Sequence, residues 1–231
     1  MKSKFLILNA LILCLACAHA EDLPKDVVTG AVKKLAEQSN YSFTSTSRSE
    51  GNSVNWRQGP TEGKADKDGN IFCAFTYGDT DVEMAFKGKK GAIKIEGEWQ
   101  GQDDLDGDRA WIGARLKANK SPTVEAMDFL DKSKDLKKAD GGLYAAELTA
   151  DGAKEFIKRI GRAQVDPKDP KGSVKFWIKD GLLTRYEFNL QAKVTRGDDA
   201  AELELNRTTT VEFKNLGSTK VEIPEGARKK L

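Results

Sequence analysis

Histidine and cysteine are scarce in this sequence of 231 residues. The only histidine is His19, and the three cysteines are Cys14, Cys17 and Cys73. All of these except Cys73 fall within residues 1–20, which have the features of a secretory leader. The mature chain is therefore expected to contain no histidine, which excludes Ser-His-Asp and Cys-His catalysis and leaves no imidazole to bind zinc. Because Cys73 would be its sole cysteine, no intramolecular disulfide is expected.

Long hydrophobic runs are also missing. The apolar stretch at residues 5–16 follows two lysines and precedes an Ala-His-Ala sequence of the small-x-small type. This pattern predicts a signal peptide over residues 1–20, because the stretch is too short to span a bilayer. Ala16 before Cys17 would allow lipid attachment at that cysteine, but Cys14 stands where a leucine-like residue is expected three positions earlier, which favours simple cleavage. We expect the remaining chain to be exported, with no stable membrane span.

The predicted mature chain has no excess of charge of either sign. The sequence contains 38 Lys and Arg and 36 Asp and Glu, and two of the lysines belong to the predicted leader. The remaining 36 basic side chains therefore equal the 36 acidic ones. A chain without a net positive field does not attract nucleic acid or anionic membranes, so neither is expected as a partner.

No group of side chains has the spacing of a metal site or of a catalytic site. The acidic residues of segment 103–108 fail as an EF-hand calcium loop, because placing Gly107 sixth puts Gln102 first and Gly113 twelfth. These acids suit the N-terminal end of a helix. No carboxylate pair stands out for glycoside hydrolysis, and the apolar neighbours of Cys73 favour an inert, buried thiol. We predict no metal, no cofactor and no catalytic residue.

A long hairpin near the C-terminus is the clearest structural feature. Asp180-Gly181 suits a type I′ turn, and it follows alternating apolar residues over 174–178. After the turn, alternation predicts a strand whose buried face carries the even-numbered residues from Leu182 to Val194. Further strand-like segments, separated by turn residues, predict an antiparallel sheet. They lie at residues 41–49, 54–56, 71–77, 82–86, 93–99, 143–148 and 203–213, with Val221 and Ile223 ending the sheet.

Helical periodicity is present in four segments. The first, residues 23–38, has a buried stripe of Val28, Ala31, Val32 and Leu35. Two more helices are expected over residues 104–116 and 123–136, and a fourth after Thr149 or Asp151. Ser121 should cap the third helix. The predicted apolar stripe of that helix is Val124, Met127, Phe129 and Leu130.

These elements together predict an α+β fold. Many antiparallel strands, four amphipathic helices and too few apolar residues for two packed sheets indicate one strongly curved antiparallel sheet. Such a sheet is a half-open β-barrel, and its helices would cover the concave face. No segment has the composition of a linker, so residues 21–231 are expected to form a single domain.

A curved sheet under helices tends to leave a cavity, although the same residues can also fill a closed core. The sequence does not decide between these two outcomes. For a cavity, we expect a lining of large apolar strand residues, with the helix that carries Met127 and Leu130 as a lid. The candidate ligand-binding residues are Phe43, Trp56, Phe75, Met84, Phe86, Ile95, Trp99, Met127, Leu130, Tyr186 and Phe188.

Three segments carry a resemblance to a known family. They are the hairpin sequence KFWIKDGLLTRYEFNL, the segment GGLYAAELT at Gly141 to Thr149, and the closing STKVEIPEGARKKL. In this order of elements the chain resembles the periplasmic lipoprotein-carrier superfamily, which includes the outer-membrane lipoprotein carrier and mycobacterial lipoproteins of the LppX and LprAFG type. The resemblance implies a half-open β-barrel whose concave face shelters acyl chains.

The sequence therefore predicts an exported, non-enzymatic binding protein. Its partner would be a hydrophobic ligand, either a lipid or the acyl chains of a lipoprotein, carried across the periplasm in the half-barrel cavity. The alternative is an envelope protein-interaction or sensor module with the same fold and no lipid cargo. A hydrolase is the third alternative, and it would require two carboxylates that face one another in a cleft.

Overall fold

The computed structural model describes residues 23–50, 59–160, 166–195 and 202–231. The predicted leader and the predicted strand segment that contains Trp56 lie outside these ranges. The strands are β1 (Asn40–Ser49), β2 (Thr61–Asp66), β3 (Asn70–Tyr77), β4 (Thr80–Lys87), β5 (Lys90–Ile95), β6 (Glu98–Gly101), β7 (Lys137–Lys138), β8 (Leu143–Glu147), β9 (Lys168–Lys179), β10 (Leu182–Thr195) and β11 (Glu202–Lys214). The helices are α1 (Pro24–Ala36), α2 (Ala110–Ala118), α3 (Pro122–Asp131), α4 (Ala150–Ile160) and α5 (Glu225–Arg228).

The strands within these ranges form one antiparallel sheet. Their order is β6-β5-β4-β3-β2-β1-β11-β10-β9-β8-β7. Consecutive strands therefore pair with each other, except for β6 and β7, and β11 returns to lie beside β1. The sheet is curved but not closed, and β6 and β7 are its two edges. The predicted α+β fold with a single strongly curved sheet is confirmed.

The β9–β10 hairpin forms as predicted, with one irregularity. Asp180 and Gly181 have φ angles of 53° and 72°, the left-handed values that a type I′ turn requires. Just after the turn, Leu183 pairs with Ile178 and Arg185 pairs with Trp177, so Thr184 is an extra residue in a β-bulge. The bulge shifts the parity, and the residue buried beside the turn is therefore Leu183 instead of the predicted Leu182 and Thr184.

Three helices fill the half of the concave face that lies over β9 and β10. The predicted stripe of α1 is buried in full. Phe129 of α3 stacks on Phe156 of α4 and on Phe188 of β10, with ring centroids 3.9 and 4.2 Å apart. Phe176 and Tyr186 are fully buried beneath them. This half of the fold is a closely packed core.

The apolar stripe of α3 differs from the prediction. Ser121 caps the helix as expected, since its hydroxyl accepts a hydrogen bond from the amide of Val124. Val124 itself is 47% exposed, and Met127 is only partly buried. The helix instead packs with Thr123, Ala126, Phe129 and Leu130 inward. The prediction was wrong for Val124 because its position beside the cap turns the side chain away from the sheet.

Two segments that were not predicted as strands belong to the sheet. Residues 61–66 form β2 although they lack apolar alternation, and Gly63 lies directly beneath the ring of Phe43. Residues 168–172 extend β9, where Pro170 falls in a second bulge, between the pairs Lys171–Gln191 and Lys168–Lys193. A bulge accommodates proline because the ladder needs no amide donor there.

The C-terminal residues cover part of the opposite face of the sheet. Ile223 and Ala227 are buried against Ala85 of β4, and Phe72 and Trp99 pack on the same cluster. Residues 219–224 have no strand pairing, so the prediction that Val221 and Ile223 end the sheet was wrong. These two side chains cover the sheet instead of extending it. Within the described ranges, no helix is both long and apolar enough to cross a membrane.

Candidate functional site

The other half of the concave face is hollow. A cavity of about 810 Å³ lies between strands β1–β5, helix α2 and the first turn of α3. At one end it reaches Tyr186 of β10 and Val211 of β11, and at the other it reaches the tips of the β3–β4 and β5–β6 hairpins. Tyr77 and Trp111 line the cavity and yet are 55% and 48% exposed, which places its mouth beside them.

The lining follows from the pleat of the strands. Successive residues of a strand point to opposite faces, so Ile71, Cys73 and Phe75 of β3 face the cavity while Phe72 faces the other side. Cys73 pairs with Met84, and Met84 pairs in turn with Ile93. A continuous apolar band therefore runs across β3, β4 and β5.

Six of the predicted ligand-binding residues lie together in this lining. They are Phe43, Phe75, Met84, Phe86, Ile95 and Tyr186. They come from five strands, β1, β3, β4, β5 and β10, whose concave faces the curvature of the sheet brings together. Their role in binding a ligand remains a prediction.

The other predicted residues lie elsewhere or outside the described ranges. Trp99 packs on Gly226 and the C-terminal cluster, because its parity on β6 points it to the opposite face. Phe188 and Leu130 are buried in the packed core, and Met127 packs against that core without reaching the cavity. Trp56 lies outside the described residues.

Several lining residues were missed by sequence reasoning. Trp111, Ile112 and Leu116 of α2 close the cavity on the helix side. The helix was predicted, but its cover over β5 is a tertiary arrangement that no local pattern indicates. Cys73 could have been found, because it has the same parity as Phe75 on one strand. Burial raises the pKa of the Cys73 thiol to about 12, which keeps it protonated.

A half-buried carboxyl group lies at the β10 end of the cavity. The hydroxyl of Tyr186 donates a hydrogen bond of 2.6 Å to Oε2 of Glu125, which lies in the first turn of α3. Both residues line the cavity. Removal from water raises the pKa of the Glu125 carboxyl group. Burial also raises the pKa of Tyr186, and the neighbouring Glu125 carboxylate raises it further because its negative charge disfavours the tyrosinate.

The remaining charges around the cavity are largely paired. Lys94 contacts Glu83 at 3.2 Å, and Arg109 contacts Glu96 at 3.4 Å. Arg207 of β11 is buried on the concave side, where burial and then the positive charge of Arg115 lower its pKa to about 10. Among the described residues, no group of three or more histidine, cysteine or acidic side chains is placed to hold a metal ion.

Comparison with known proteins gives likenesses of structure. No family model matches the chain, and no curated protein matches it at a significant level. Similar solved structures include lipoprotein LppX of Mycobacterium tuberculosis, with 9% identity and a TM-score of 0.48 over 87% of this chain and 98% of that one.

Two further solved structures are similar. LprF of Mycobacterium bovis has 11% identity and a TM-score of 0.45 over 88% of this chain and 97% of that one. A LolA superfamily protein of Nitrosomonas europaea has 9% identity and a TM-score of 0.36, and the match covers 87% of this chain and 96% of the other. All three likenesses are of structure, at sequence identities of 9–11%.

Proposed function

We propose that this protein is an exported carrier that shelters a hydrophobic ligand, a lipid or the acyl chains of a lipoprotein, for transport across the periplasm. The observation that supports this most directly is the cavity of about 810 Å³ under α2. Its volume falls in the range of about 300–1,000 Å³ that is typical of ligand pockets. Its lining is mainly apolar, which suits a ligand that is rich in methylene groups.

Desolvation would supply the affinity. Each buried methylene contributes about 0.8 kcal/mol, so ten of them contribute about 8 kcal/mol before the loss of translational and rotational freedom is subtracted. No charged anchor is needed for such binding. Tyr77 and Trp111 at the mouth are amphipathic, and side chains of this kind tolerate contact with both water and acyl chains.

We propose binding and not catalysis. The sequence has one histidine, which lies in the predicted leader. The only cysteine in the lining keeps its proton, because burial raises its pKa to about 12, and a thiol is a far weaker nucleophile than a thiolate. One oxygen of the Glu125 carboxyl group already accepts a hydrogen bond from the hydroxyl of Tyr186.

A pair of variants on one strand tests the proposal. Ser45 lines the cavity, whereas the adjacent Thr44 points to the opposite face and hydrogen bonds Glu62. Protein purified from its own host should release lipid on organic extraction, and native mass spectrometry should show the same mass as a bound adduct. Ser45→Trp would reduce the bound fraction several-fold by filling the cavity, and the matched Thr44→Trp control would retain it.

Two results would oppose the carrier. Wild-type protein that carries no lipid and binds no fluorescent fatty-acid probe would favour the protein-interaction or sensor module. Equal lipid occupancy in both tryptophan variants would show that any bound lipid sits outside the cavity.

A further inference from the structure

We propose that the polar end of the ligand is an uncharged alcohol whose hydroxyl donates a hydrogen bond to Oε1 of Glu125. This inference rests on the proposed function and specifies its ligand as an acyl lipid with a hydroxylated, uncharged head, such as an acylglycerol. The polar end would lie against Glu125 and Tyr186, and the acyl part would lie along the apolar band of β3, β4 and β5.

Within the described residues, only one of the two carboxyl oxygens of Glu125 accepts a hydrogen bond. Tyr186 donates to Oε2, and among the described residues Oε1 accepts no hydrogen bond. The fully enclosed side-chain atoms that lack a hydrogen-bond partner do not include Oε1. Part of the surface of Oε1 is therefore accessible. Because Glu125 lines the cavity, a donor inside the cavity can approach this oxygen.

The exposed oxygen requires a donor once the cavity is occupied. Water can fulfil that role while the cavity is empty of lipid. An acyl chain that displaces the water without replacing the hydrogen bond would leave a desolvated carboxyl oxygen, which is unfavourable by about 1–3 kcal/mol. A hydroxyl on the ligand restores the bond, so the site discriminates in favour of alcohols.

The charges near Glu125 argue for an uncharged ligand. Asp128 is paired with both Lys120 and Arg159, and Glu155 is paired with both Arg159 and Lys132. With Glu125 ionised, this group has three acids and three bases, so no excess negative charge is left for an ammonium group. A carboxylate or phosphate placed against Glu125 would be repelled in a site of low dielectric.

The whole cavity has the same balance. Its lining contains four acidic and four basic side chains. Two of the acids, Glu83 and Glu96, are paired with two of the bases. The lining as a whole therefore has no net field that would attract an anionic or a cationic head group.

Four ligands of equal chain length test the assignment. Delipidated protein would be loaded with a fluorescent apolar probe, which is then displaced by 1-decanoylglycerol, methyl decanoate, decanoate or decylamine. We expect 1-decanoylglycerol to bind about tenfold more tightly than methyl decanoate or decanoate. Glu125→Leu should bring the ratio of 1-decanoylglycerol to methyl decanoate to about one, and Glu125→Gln should improve the binding of decanoate.

A control and three outcomes keep the test decisive. Glu62→Leu removes an exposed acid whose carboxylate accepts from Thr44 on the other face of the sheet, and it should leave all four affinities unchanged. Preference for decanoate or decylamine, or a preference for 1-decanoylglycerol that survives Glu125→Leu, overturns the assignment of an alcohol while the carrier function stands. Failure of all four ligands and the probe to bind overturns the carrier function itself.

Discussion

Replacing one phenylalanine in each half of the concave face with alanine should distinguish the packed core from the cavity. Phe129 is 1% exposed and lies between the rings of Phe156 and Phe188. Phe75 is only partly buried, and one side of its ring faces the cavity. The same change to alanine therefore removes a ring that is enclosed in one case and partly open in the other.

The expected magnitudes differ several-fold. Phe129→Ala should lower the free energy of unfolding by about 4 kcal/mol, since it loses a fully buried ring, leaves a void and breaks two stacking contacts. Phe75→Ala should lower it by about 1 kcal/mol, because the ring is half-buried and its removal only enlarges an existing cavity. The loss expected for Phe129→Ala approaches the total free energy of unfolding of many domains. The milder variant Phe129→Leu should therefore be measured beside it.

Urea unfolding followed by far-ultraviolet circular dichroism measures the difference. With a slope of about 2 kcal/mol per molar, Phe129→Ala should lower the midpoint by about 2 M and Phe75→Ala by about 0.5 M. Phe75→Ala should also weaken binding of a lipid probe, whereas Phe129→Leu should not. Equal midpoint shifts for the two alanine variants, with unchanged slopes, would refute the idea that one half of the concave face is hollow.

Three further predictions concern single side chains. Glu125 has a raised folded-state pKa, so its contribution to stability is fully present below about pH 4.5 and is lost as the pH rises through the folded value. In urea unfolding, the stability of Glu125→Gln should therefore rise relative to that of wild type between pH 4 and 8. A stability difference that stays constant with pH would contradict this. Gly63→Val should destabilise by about 1–3 kcal/mol, because a Cβ there would lie 2.0 Å from Cζ of Phe43, whereas Gly30→Ala, with no atom within 4 Å, should not destabilise. Cys73, with a pKa of about 12, should react with a disulfide reagent at pH 8 at least about a thousandfold more slowly than free cysteine, and a rate within tenfold would show that the thiol is not buried.

The hairpin shows which features of the fold can be predicted from sequence and which cannot. Asp-Gly between two alternating runs determined the turn, and both strands were predicted from their period of two. The bulge at Thr184 was missed because Leu182 and Leu183 suit the buried face equally well. Its stabilising contact, a hydrogen bond of 3.1 Å from the Thr184 hydroxyl to the carbonyl of Trp177, depends on the partner strand.

Strand β2 was missed for a similar reason. Its sequence has no large apolar residue, and only Gly63 and Ala65 are buried. The strand exists because β1 and β3 offer hydrogen bonds on both sides, and because the absence of a side chain at Gly63 leaves room for the ring of Phe43. Tertiary context of this kind overrides local propensity.

The position of the cavity was beyond sequence reasoning, although six of the strand residues that line it were predicted. Phenylalanines occur in both halves of the concave face, and the strand pattern is the same in each. The difference comes from which helices lie above them. Phe188 was expected to contact ligand, but Phe129 and Phe156 cover it, and no pattern within β10 indicates that cover.

The helices explain why one half is full and the other is hollow. Helix α1 buries Val28, Ala31, Val32 and Leu35, and together with α3 and α4 it packs over β9 and β10. Helix α2 has nine residues and buries only Gly113 and Leu116. A helix that makes so few buried contacts cannot fill the space between itself and five strands. The cavity is thus a consequence of the short, weakly amphipathic sequence of α2, and a longer or more apolar helix at this place would be expected to close it.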